Sequence, residues 1–144
     1  MSKQFTLGRN ERLKSRKQIE KLFADGRSFV VSPFRVYYVV NDLPMVIGRS
    51  LVNGGNILQF GVGVSSKNFK KSVDRNRIKR LTREAWRLQK NELKVKTNAS
   101  EKQLNVFFIY TGKELPDFNI INDKVAVALK KLLGKVDENN SPNS

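Results

Sequence analysis

The chain has 144 residues, and its 28 Lys or Arg against 13 Asp or Glu give a formal charge of +15 and a pI near 10.3. That length predicts one domain with enough interior to fold without covalent staples. Cys and His are both absent, which excludes disulfides, thiolate and imidazole metal centres, and Ser-His, Cys-His or paired-His catalysis.

The lack of cysteine fits a reducing cytoplasm, the expected location. Residues 1–11 are polar apart from Phe5 and Leu7, with no apolar run of the kind a signal peptide or membrane span needs. Ser15 to Ala24 reads as a helix with Ile19, Leu22 and Phe23 on one side, and Gly26 is placed to stop it. Ser32-Pro33 breaks the chain before a strand. In that strand Phe34, Val36, Tyr38 and Val40 alternate with Arg35, Tyr37 and Val39.

Asn41 to Pro44 is turn chemistry. Met45 to Val52 and Ile57 to Ser65 read as strands joined by a hairpin turn at Asn53-Gly54-Gly55-Asn56. In the second of these, Leu58, Phe60, Val62 and Val64 face one way. Gly61 and Gly63 leave the other face bare, open to close approach by a helix or another backbone. The run GVGVSSK from Gly61 is not a nucleotide loop. Ser66 stands where the third glycine belongs, and no Gly-Lys-Ser/Thr follows.

The stretch Ser66 to Lys90, SKNFKKSVDRNRIKRLTREAWRLQK, holds ten Lys or Arg against Asp74 and Glu84, a net charge of +8. From about Ser72 it reads as one helix, with Ile78, Leu81, Ala85 and Leu88 forming an apolar stripe. Asn76, Lys79, Arg80, Arg83, Arg87 and Lys90 fall on the opposite arc, with Arg75 and Arg77 on its shoulders. Asp74 sits in the first turn, where the helix dipole favours an anion. A merely solvated face would mix signs at i,i+4 spacing. This row is nearly all cation, and the planar fork of its arginines suits phosphate oxygens. A membrane-surface helix would need a more strongly apolar opposing face. Nucleic acid is the expected partner.

Asn91 to Lys102 reads as a polar connection, and Leu104 to Tyr110 as a buried strand ended by Thr111-Gly112. Leu115-Pro116-Asp117-Phe118 leads into a last helix with Ile121, Val125, Ala128, Leu129 and Leu132 in register and Gly134 as its stop. Residues 1–134 are therefore expected to be one domain and residues 135–144 a disordered polar tail. A strand, the basic helix and a strand make a βαβ unit, by default right-handed. The remaining acids form no ordered constellation of carboxylates for a metal nuclease.

RNRIKRLTRE, preceded by VGVSSKNFKKSVD, resembles the signature of the bacterial ribonuclease P protein component. Arg75, Asn76, Arg77, Lys79, Arg80 and Arg83 match that family's Arg-Asn-Arg run, its Lys-Arg pair and a further Arg one turn on; the similarity extends from about Arg12 to Leu133. The resemblance implies an α+β fold: a small two-layer sandwich with a four-stranded sheet, its βαβ crossover left-handed, similar to a domain of a small-subunit ribosomal protein. It also implies the accessory subunit of an endonuclease that removes the 5′ leader of precursor tRNA. The RNA subunit would perform the chemistry, so no catalytic residue and no metal ligand is expected in the protein. Mg²⁺ would be held mainly by RNA oxygens and water.

The partners implied are the catalytic RNA and precursor tRNA, with no membrane and no further protein. RNA contacts fall to Lys67, Lys71, Arg75, Asn76, Arg77, Lys79, Arg80, Arg83 and Arg87. Phe23 and Tyr37 match the aromatics of a leader-binding cleft, and Arg35 shares the strand side of Tyr37. Ile19 stands where many members carry Phe, which removes one stacking platform. Within the helix, Arg75, Lys79 and Arg83 lean to one side and are assigned to the leader; Arg77, Arg80 and Arg87 are assigned to the RNA subunit. The connection 41–56 is longer than in many members. The competing reading is a ribosomal or RNA-chaperone protein that binds structured RNA without cleavage. It shares the charge argument but not the RNRIKR run paired with Phe23 and Tyr37.

Overall fold

The alternation that begins at Phe34 organises the sheet. Phe34, Val36 and Tyr38 are at most 4% exposed, while Arg35 between them is open to solvent. The computed structural model describes residues 13, 16–42, 58–100 and 102–140. In chain order these form α1 (Arg16–Asp25), β1 (Arg27–Val31), β2 (Phe34–Asp42), β3 (Leu58–Val64), α2 (Ser72–Gln89), α3 (Asn91–Ala99), β4 (Lys102–Tyr110) and α4 (Phe118–Asn140). The four strands lie in the order β1-β2-β4-β3. Strands β1 and β4 pair antiparallel with β2, and β3 runs parallel to β4. The fold is mixed α+β, and the βαβ unit from β3 through α2 and α3 to β4 is present.

One face of the sheet is closed. Val36, Tyr38, Phe60, Val62, Leu104, Val106, Phe108 and Tyr110 meet a helical layer supplied by Ile78, Ala85 and Trp86 of α2, Leu93 of α3, and Ile121, Val125, Ala128 and Leu132 of α4. Trp86 lies flat on Phe60 with ring centroids 4.3 Å apart and planes 10° from parallel. Burial of each Val, Leu, Ile or Phe side chain among them stabilises the fold by about 1.5–3 kcal/mol. Gln89 ties α2 to α4 by donating to the main-chain and side-chain oxygens of Asn122. Asp117 caps α4, its Oδ1 accepting the Ile120 amide at 3.0 Å.

The structure departs from the sequence reading at several places. Ser32-Pro33 is the turn of a β1–β2 hairpin rather than a break before the first strand. The expected connection 91–102 contains α3, which is held by Leu93 and Thr97, both buried and one turn apart. Gly134 does not stop the last helix. It continues to Asn140, and Val136 is fully buried one turn beyond Leu132, so 135–140 are not a disordered tail. The buried stripe of α2 is Ile78, Thr82, Ala85 and Trp86, while Leu81 is half-buried and Leu88 is 44% exposed. Thr82 enters the interior because its hydroxyl donates to the Ile78 carbonyl at 2.8 Å. Lys90, placed on the cationic arc, is buried at the α2–α3 junction. The expected strand 45–52, its hairpin turn at 53–56, Phe5 and Leu7 lie outside the described residues.

Candidate nucleic-acid interface

The loop from Ser65 to Lys71 delivers the first cations, and it is tied down at several points. Phe69 is buried in the core, and its amide donates to the Ser65 carbonyl at 3.1 Å. Asn68 Nδ2 donates across the sheet end to the carbonyls of Thr111 and Gly112, both at 3.3 Å. Arg75 Nη1 donates to the carbonyls of Phe69 and Lys70, each at 2.8 Å. The loop is thus pinned to α2 by the first arginine of the Arg-Asn-Arg run. Lys67 and Lys71 are left exposed on a fixed turn.

Along α2 the sequence-predicted residues divide by environment. Asn76, Arg77 and Arg80 are exposed, and Lys79, Arg83 and Arg87 are half-buried. Arg87 is engaged by Glu84 through Nε at 3.1 Å and Nη2 at 2.5 Å, a two-point pair within one helical turn. That hydrogen bond, with the attraction of the Glu84 carboxylate, pushes the Arg87 pKa further up against a smaller opposing effect of burial. Arg87 therefore reaches a phosphate only alongside, or in exchange for, its carboxylate partner. Arg77 and Arg80 form no ion pair among the described residues. Among the cations of α2 they are the most available to an incoming anion.

The second part of the site lies on the face of the sheet turned away from α2 and α4. Phe23 of α1 packs on Tyr37 with centroids 4.8 Å apart, and edge-on against Phe107 at 5.4 Å. The predicted pair Phe23 and Tyr37 does come together. Phe23 is 41% exposed and Tyr37 is half-buried, so neither is an interior residue. Arg35 is exposed two residues before Tyr37, hence on the same side of the strand. Ile19 is half-buried on α1.

Phe107 is the member that the sequence reading missed. Register places it between Tyr37 on β2 and Gly61 on β3. A Cβ on Gly61 would stand 2.7 Å from the Phe107 ring and 2.9 Å from the Leu13 carbonyl, so only glycine leaves the ring its place. Leu13 reaches the same spot by donating its amide to the Phe60 carbonyl at 2.8 Å. The signal was present: the glycines at 61 and 63 mark a bare face, and the alternation of LNVFFIY turns Phe107 toward it.

Among the described residues no three or more of Asp, Glu, His or Cys are grouped to hold a metal ion. No helix of the described residues is long and apolar enough to cross a membrane.

The chain matches the family model described as Ribonuclease P over residues 7–134. A curated ribonuclease P protein component from Porphyromonas gingivalis is 34% identical over 132 residues, covering 92% of this chain and 90% of that protein. One from Chlorobium phaeobacteroides is 29% identical over 130 residues, covering 84% of each. Among solved structures, the RNase P protein from Thermotoga maritima aligns at 25% identity with a TM-score of 0.59, covering 84% of this chain and 96% of that one. The Staphylococcus aureus RNase P protein shares the fold at a TM-score of 0.60 and 20% identity, covering 84% and 94%. Agreement in sequence over almost the full length, and in fold, leads to one conclusion: this chain belongs to the ribonuclease P protein family.

Proposed function

We propose that the chain binds the catalytic ribonuclease P RNA through its cationic loop and α2, and holds the single-stranded 5′ leader of precursor tRNA against Phe23, Tyr37 and Phe107. As an accessory subunit of the endoribonuclease it supports 5′ maturation without supplying the reacting groups. The observation that carries the leader assignment is the aromatic cluster left partly open beside Arg35. Aromatic faces stack on unpaired bases of any sequence, and neighbouring cations neutralise the phosphates between them.

Each part has a defined task in this reading. Lys67, Lys71, Asn76, Arg77, Lys79, Arg80 and Arg83 meet RNA phosphates and sugars. Arg75 pins the loop that presents the two lysines, and Arg87 contributes while paired with Glu84. Mg²⁺ is held by RNA oxygens and water, which matches its preference for phosphate ligands and retained waters. The protein's effect on catalysis is positional: fixing the leader on the enzyme fixes the adjoining scissile phosphate in the RNA active site.

Reconstitution tests this. The protein is mixed with a bacterial ribonuclease P RNA and precursor tRNA at low Mg²⁺, and 5′ cleavage is followed. Stimulated cleavage by the mixture, with none by RNA-free protein, is the expected result. Binding of both RNAs without stimulation would leave a general RNA-binding protein and overturn the accessory-subunit mechanism.

A further inference from the structure

A groove of about 780 Å³ opens between the start of α2 and the segment entering α4, away from the Phe23–Tyr37–Phe107 cluster. Val73, Leu115 and Ile120 line it and are 72%, 49% and 47% exposed. Single exposed apolar residues are ordinary, but three converging from two distant segments make a patch that calls for an occupant. Asp117 fixes the Ile120 amide from the groove wall, so this apolar floor is held in position.

The polar rim says what the occupant is. Arg77 and Arg80 line the groove and form no ion pair among the described residues. Asn76 and Asp74 stand beside them, and the Asp74 carboxylate accepts no hydrogen bond among the described residues. The groove thus offers an apolar floor, two free cations, an amide, and two carboxylates, of which Asp117 is engaged by the Ile120 amide and Asp74 is open. A nucleotide has the complementary parts: a flat base with apolar faces, a hydrogen-bonding edge with amino donors, and an attached phosphate. A partner helix would need a longer apolar stripe than three side chains provide.

We infer that this groove receives one unpaired nucleotide of the bound RNA. The base lies against Val73, Leu115 and Ile120, its edge meets Asp74 and Asn76, and its phosphate meets Arg77 and Arg80. The inference deepens the RNA-binding reading above and rests on it. It makes part of the Arg-Asn-Arg helix a reader of RNA shape, responsive to an extruded base, as well as a phosphate clamp.

The test uses the full chain and two hairpin RNAs of equal length at one salt concentration, one with a single bulged adenosine and one with that position paired. The protein is expected to prefer the bulged hairpin by about tenfold, the order expected for one stacked base. The double variant Leu115→Ser and Ile120→Ser should bind the two hairpins equally. Both side chains are half exposed, so its melting curve should match that of the parent; should it not, Val73→Ser replaces it. A preference that survives these substitutions, or that Tyr37→Ala abolishes instead, overturns the inference. Equal binding of both hairpins by the parent protein overturns the groove alone, whereas failure to bind either overturns the RNA-binding reading itself. Should the parent self-associate in sedimentation and the double variant not, with the RNA preference unmoved, a second copy of this chain would be the occupant.

Discussion

The two faces of the sheet are built from the same strands by alternate residues, and both carry aromatic clusters of nearly the same geometry. On the closed face Phe60 and Phe108 meet at 5.3 Å, Phe34 and Phe108 at 5.4 Å, and Trp86 stacks on Phe60. On the other, Phe107 meets Phe23 at 5.4 Å and Phe23 meets Tyr37 at 4.8 Å. The ring contacts alone do not distinguish a core from a binding surface. What differs is the cover. The closed face has α2, α3 and α4 over it, whereas the other has α1, two glycines that add no bulk, and an exposed arginine. Rings that are packed and dry contribute stability; rings packed on one side and open on the other remain available to a base.

Substitutions should separate the two faces, and the largest effect belongs to the closed one. Phe108→Ala should cost about 3–5 kcal/mol in denaturant unfolding, as truncation of a fully buried aromatic, while the fraction that stays folded binds RNA as before. Loss of RNA affinity without loss of stability would reverse the assignment of the faces. Gly61→Ala comes next. The added Cβ forces Phe107 and the Leu13 segment to shift, so a melting experiment should show a loss of about 1–3 kcal/mol, with weakened leader binding. Wild-type leader affinity in this variant would show that Phe107 need not keep its place.

Smaller effects sharpen the boundary between the faces. Truncation after Gly134 removes Val136 from the core and should destabilise by roughly 1.5 kcal/mol, seen as a lowered denaturant midpoint. An unchanged midpoint would mean that the last turns of α4 add nothing to the closed face. Arg80→Ala should leave the melting curve in place. Its slope of log affinity for the RNA subunit against log salt should become shallower by up to about one unit, the share of a single phosphate contact. An unchanged slope would remove Arg80 from the interface.

Much of this was readable from the residues. The alternation of Phe34 to Val40 identified the buried face of β2, and the spacing of Ile121, Val125, Ala128, Leu129 and Leu132 identified that of α4. The Arg-Asn-Arg run located the basic helix and, with Phe23 and Tyr37, the family. The rest depended on tertiary choices that local pattern does not make. On α2, leucines 81 and 88 offered a more apolar stripe than Thr82 and Trp86, but stacking of Trp86 on Phe60 rotates the helix toward the second phase. Helix α3 rests on two anchors, Leu93 and Thr97, in an otherwise polar segment, too few to register as a period. Strand β1 is mostly exposed and is specified by its pairing with β2 rather than by its own pattern. Lys90 read as a surface cation because its burial arises only where α2 turns into α3. Phe107 needed the strand register to bring it opposite Gly61 and Tyr37.

The central claim is that the open aromatic face holds the leader while α2 holds the RNA subunit, and Tyr37→Ala tests it most directly. Tyr37 shares its strand side with an exposed arginine and is only half-buried, so its truncation should leave the fold in place. Affinities of the reconstituted holoenzyme for precursor tRNA and mature tRNA, and of the protein for the RNA subunit, are measured at one salt concentration. Precursor binding should weaken by roughly 1–3 kcal/mol, the scale of one lost stacking contact, with mature tRNA and the RNA subunit bound as before. Equal losses for precursor and mature tRNA would contradict the account and place Tyr37 in the support of the fold or of the RNA-subunit contact.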